Sequence, residues 1–70
     1  MNAKEIRHWR IVELRNRALK GLERKTPPNK IHTELMIRCV QWGISKATAA
    51  NYLAEVVESI EKRAKVRIQP

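Results

Sequence analysis

Residues 35–54 read Leu35-Met36-Ile37-Arg38-Cys39-Val40-Gln41-Trp42-Gly43-Ile44-Ser45-Lys46-Ala47-Thr48-Ala49-Ala50-Asn51-Tyr52-Leu53-Ala54, and their order decides the fold. Leu35, Cys39 and Trp42 share one helical face, with Met36 and Val40 beside it. Gly43 ends that helix, because a left-handed backbone costs least at glycine. Ile44 follows as an apolar plug, and Ser45 is the N-cap of a second helix. Ala49 and then Tyr52 and Leu53 point inward from that helix. Cys39 and Ala49 are small residues where two helices must cross closely.

Upstream, Thr33 is the expected N-cap of the helix that ends at Trp42, with Glu34 favoured by the positive end of its dipole. Lys30-Ile31-His32 is expected as a short extended segment, and residues 25–30, with Pro27 and Pro28, as a linker within one domain. A first helix is predicted from Ala3 to Arg24, capped by Asn2 with Glu5 in capping-box position. Its apolar row is Ile11, Leu14, Ala18 and Leu22, and Gly21 weakens its last turn. Trp9 and Trp42 are expected to pack in the core rather than stack on a partner. Cys39 is expected as a small buried thiol, and His8 and His32 as surface residues. Downstream, the third helix is expected to continue to Arg63 or Ala64. The alternation of Val66 and Ile68 permits one short C-terminal strand, paired with Lys30-Ile31-His32 or left frayed.

The 70 residues carry 15 Lys+Arg against 7 Asp+Glu, a net charge of +8. That surplus on one small domain favours nucleic acid or an anionic surface as partner. The hydrophobic fraction of 43% is too high for a disordered basic tail. One cysteine excludes an intramolecular disulfide and points to a reducing interior. No apolar stretch suits a signal peptide or reaches the roughly 20 residues of a membrane span, so no membrane partner is expected. His8, His32 and Cys39 lack the spacing of a structural metal site, and no cofactor is expected. Gly21 and Gly43 stand alone, so there is no phosphate loop. No set of paired carboxylates, or of Ser, His and Asp, can be assigned, so the chain is not expected to be an enzyme or to take a small-molecule ligand.

The run Gly43-Ile44-Ser45-Lys46-Ala47-Thr48-Ala49-Ala50-Asn51-Tyr52-Leu53 resembles the recognition segment of prokaryotic helix-turn-helix and winged-helix transcription regulators. The expected fold is an all-α three-helix helix-turn-helix bundle over 1–70, with the single strand of a truncated winged helix allowed. The resemblance implies that the third helix enters a DNA major groove. Ser45, Lys46, Ala47, Thr48, Ala50 and Asn51 would then meet phosphates and base edges. Lys46 suits a guanine edge or a phosphate, and Asn51 suits adenine. Arg38, Lys30 and His32 would contact the DNA backbone. A full wing hairpin cannot be built from Val66 to Pro70.

Arg7 and Arg10 of the first helix, and the cluster Lys62, Arg63, Lys65 and Arg67, are expected to neutralise phosphates. Up to Lys25 the chain holds eight basic and three acidic residues, +5 of the +8. Leu53, Val57, Ile60 and Ala64 step by four, three and four, a seam expected to join a homodimer. The expected function is double-stranded DNA binding by a homodimeric transcription regulator in the cytoplasm, at the nucleoid. The alternatives are a sequence-independent architectural DNA-binding protein and a protein-interaction module on a helix-turn-helix scaffold.

Overall fold

A computed structural model describes the backbone over residues 2–68 and the side chains over residues 2–62. It is all-α: α1 spans Ala3–Glu23, α2 Pro28–Gln41 and α3 Lys46–Ile68. The first helix begins as its sequence dictates, with Asn2 Oδ1 accepting from the Glu5 N–H at 2.9 Å. Its far end closes by a device that residue types alone did not announce. Lys25 takes φ 60°, its N–H donates to Leu22 O at 3.0 Å, and the Thr26 N–H donates to Gly21 O at 2.9 Å. This pair of bonds is a Schellman closure, built here on a lysine in the position that favours glycine.

Helix α2 starts earlier than Thr33. Pro28 stands at its first position, where a missing N–H is no loss and the fixed φ is already helical. The Pro27 carbonyl accepts from the N–H groups of Lys30 and Ile31 at 3.0 and 3.1 Å. The Thr33 hydroxyl donates to Asn29 O at 3.0 Å from inside the helix and caps nothing. Lys30-Ile31-His32 is therefore helical, not extended, and the linker shrinks to the residues between Glu23 and Pro28. The C-terminal strand is corrected as well: α3 continues through Val66 to Ile68, and there is no strand among the described residues. A lone strand would leave its backbone groups unpaired, whereas the helix satisfies them locally. No described helix is long and apolar enough to cross a membrane.

One core joins the three helices. Ile11, Leu14 and Ala18 enter from α1, Ile31, Leu35 and Cys39 from α2, and Ala49, Tyr52, Leu53 and Val56 from α3. Met36, Trp42, Ile44 and Ile60 pack around it half-buried. One expectation shifts at this point. Trp9 is 57% exposed, because it lies across α1 from Ile11, Leu14 and Ala18. Along α3, Val56 is buried, while Val57 of the seam is 53% exposed. One residue turns the helix by about 100°, enough to carry Val57 out of the core line.

Gly21 has a role beyond loosening a turn. A Cβ at this position would lie 2.9 Å from Ile31 Cγ1, so the missing side chain lets α2 press against α1. Gly21→Ala gains about 1 kcal/mol of helix propensity but overpacks a site where strain of about 1–3 kcal/mol is typical. We expect a net loss of about 1 kcal/mol in urea melts, turning into a gain when Ile31→Ala is introduced first. Lys25→Gly, which relieves a left-handed lysine, should stabilise the fold by about 0.5–1 kcal/mol in the same measurement. An unchanged midpoint for Lys25→Gly would mean that the closure carries no strain.

Candidate nucleic-acid interface

The turn between α2 and α3 is built from two consecutive caps. Gly43, at φ 73°, donates its N–H to Val40 O at 2.9 Å, and the Ile44 N–H donates to Cys39 O at 3.1 Å. These bonds close α2 and tuck Ile44 against the core. Ser45 Oγ then accepts from the Thr48 N–H at 3.3 Å and donates to Thr48 Oγ1 at 3.0 Å. Both hydroxyls lie at the positive end of α3, where an anion is favoured.

Lys46, Ala47, Ala50 and Asn51 continue from this cap, and all four are exposed. Lys46 makes no ion pair among the described residues. Apart from Lys46, the exposed face is small and uncharged over the first two turns, which allows close approach to a partner. Beyond Ala54 it changes character. Glu55 pairs with Arg7, Glu58 pairs with Lys62 at 3.1 Å, and Glu61 is exposed. Only the N-terminal half of α3 is therefore compatible with a phosphate-lined groove.

The first and third helices run in the same direction, since Arg7 meets Glu55 and Arg15 Nη1 meets Ser59 Oγ at 3.4 Å. The N-termini of α1 and α3 thus lie at one end of the bundle, joined there by the C-terminus of α2. Three guanidiniums sit near this end, those of Arg7, Arg10 and Arg38. Arg7 also lies over the Tyr52 ring, 5.3 Å from its centroid. Arg10 and Arg38 both lie over Trp42, at 5.5 and 4.7 Å from the centroid. Arg38 Nε donates to Glu13 Oε2 at 2.6 Å, and Arg17 Nε donates to the same oxygen at 3.0 Å.

Glu13 thus serves two guanidiniums. The hydrogen bond from Arg38, seconded by that from Arg17, holds its carboxyl below the usual carboxylate range. Glu13 in turn pushes the Arg38 pKa further up, as Glu55 does for Arg7. Both arginines are anchored by acids rather than waiting in solvent, which fixes their position and lowers the charge they offer. Burial pushes the Cys39 thiol up, which fits a packing residue and not a nucleophile.

The remaining expected contacts are scattered. His32 joins Lys46, Met36 and Ala50 along one shallow groove between α2 and α3. Lys30 lies at the opposite end of α2, about 18 Å along the helix from the turn by its rise per residue. Lys62 is more than about 20 Å along α3 from Lys46. The side chains of Arg63, Ala64, Lys65 and Arg67 lie outside the described residues. Of the dimer set, Leu53 is buried, Ile60 half-buried and Val57 exposed. Leu22, Ile31, Val57 and Ile60 line an apolar cleft of about 290 Å³ where the three helices meet.

Sequence reading missed the double guanidinium stack on Trp42. The four-residue spacing of Arg38 and Trp42 contained half of it, and Arg10 arrives only through tertiary packing.

Because the Glu13 carboxyl titrates below its ordinary range when folded, its contribution is present above that range and lost as the pH falls through the folded value. Glu13→Gln should therefore flatten the acid limb of a plot of urea midpoint against pH, between about pH 5 and pH 2. Equal acid limbs would show that the pair is energetically silent. No known protein family, characterised protein or solved structure matches the chain.

Proposed function

We propose that this chain binds double-stranded DNA as a homodimeric transcription regulator, with the N-terminal half of α3 in the major groove. The observation that carries the reading is the capped start of α3. Its exposed Lys46, Ala47, Ala50 and Asn51 combine one cation, one amide fork and two residues that permit close approach. Ser45 and Thr48 meet phosphate at the helix N-terminus, and His32 lies along the adjoining groove. Arg7, Arg10 and Arg38 supply charge at the same end of the bundle. The apolar cleft with Val57 and Leu22 at its lip, 53% and 48% exposed, supports a second copy as its cover. Two reading helices would then lie about 34 Å apart on a pseudo-palindromic site.

A second reading, sequence-independent coating of duplex, draws on the same helix. Ala47 and Ala50 carry no hydrogen-bond information, and the acids from Glu55 onward shorten the reading surface.

Binding to a selected site measured against random duplex separates the two. In the regulator reading, Lys46→Ala with Asn51→Ala removes the preference and leaves random-duplex affinity within a few-fold. Wild-type preference in that double variant overturns the assignment of α3. Arg10→Ala should weaken all sequences alike and reduce the salt slope by about one ion. Val57→Glu, at an exposed position, should convert the dimer to monomer in sedimentation and remove the concentration dependence of the melt. A variant that sediments as wild type places the dimer contact elsewhere.

A further inference from the structure

The outward face of α1 has no place in the duplex reading. Trp9 stands there 57% exposed, with His8 edge-on at a ring-centroid separation of 5.2 Å. An indole left this open keeps more than half of its surface available to a partner. It lines one groove with Glu13, Arg17, Lys20, Arg24 and Glu34, running between α1 and the wall of α2. From Trp9 to Arg24 the groove follows α1 for about 22 Å by its rise per residue.

The unpaired charge of the groove is net positive, with Lys20 and Arg24 against Glu34. Glu13 is held by Arg17 and Arg38, while Lys20 and Arg24 make no ion pair among the described residues. An aromatic face at one end of a basic track is the combination that binds single-stranded nucleic acid: bases stack on the ring and cations follow the backbone. Duplex fits poorly, because its base faces are covered by their neighbours and cannot reach an indole. An acidic peptide would use the cations and leave Trp9 without a role.

We propose that this groove is a second site, which binds single-stranded nucleic acid by stacking an unpaired base on Trp9 and holding the phosphates that follow with Lys20 and Arg24. It is separate from the exposed face of α3 and does not depend on the duplex reading.

The test is a titration of the full chain with dT15 and with rU15, read by the indole N–H signals of Trp9 and Trp42 in proton–nitrogen spectra. Binding should move the Trp9 signal in a saturable manner and leave Trp42 nearly still. Trp9→Ala, at an exposed position outside the core cluster, should weaken binding on the order of tenfold. Lys20→Ala and Arg24→Ala should each reduce the slope of log affinity against log salt by about 0.7. The ratio of dT15 to rU15 affinity tells DNA from RNA as the strand taken. The Lys46→Ala, Asn51→Ala variant should bind dT15 as wild type does, even if its duplex preference is lost, so the two sites fail independently. Wild-type affinity for dT15 in Trp9→Ala overturns the proposal, as does equal displacement of dT15 by an acidic peptide or movement of Trp9 by duplex alone.

Discussion

Between Gln41 and Lys46 the chain has four residues in which to end one helix and start another at a new angle, and Gly43 makes this possible. Its positive φ lets two N–H groups turn back onto the last carbonyls of α2. The same turn drops Ile44 onto the core and leaves Ser45 free to cap α3. A side chain at Gly43 would meet no neighbour, so the constraint there is backbone conformation and not space. The direction of α3, the exposure of its first two turns and the approach of Ala49 to the core all follow from it. Gly21 has the opposite role: its backbone is ordinary, and the space beside it is filled by Ile31.

A strongly basic chain of this size must offset the repulsion among its cations when it folds. Pairing alone is insufficient with so few acids, and the bundle adds aromatic faces. Trp42 carries two guanidiniums and Tyr52 a third. Glu13 and Glu55 anchor two of the same arginines. Exposed pairs of this kind contribute little stability each, so positioning is their main consequence. The arginines are held in fixed positions toward the end of the bundle where α2 meets α3.

The helices themselves were largely legible. Asn2 with Glu5, and Gly43 with Ser45, are local signals whose partners lie within a few residues, and each caps as read. The start of α2 was misplaced because Pro27 and Pro28 carry two meanings: proline stops a helix from within and starts one at its first position. The strand that Val66 and Ile68 permit does not form, because alternation over so few residues competes poorly with an uninterrupted helix. The exposed row from Lys46 to Asn51 was readable from spacing. The pairing of Arg7 and Arg38, and the exposure of Trp9, were not, since each depends on which face of α1 meets which neighbour.

The sequence by itself determined the three helices, the turn between the second and third, and the excess of positive charge, because caps, periodicity and net charge act over a few residues or over the whole composition. Tertiary structure decided which cations are anchored and which remain available, that Val56 rather than Val57 enters the core, and that Trp9 faces outward. The physical reason is that a helix can turn any of several faces inward at similar local cost. Only the fit of Gly21 to Ile31, and of Cys39 and Ala49 into one core, fixes the rotation.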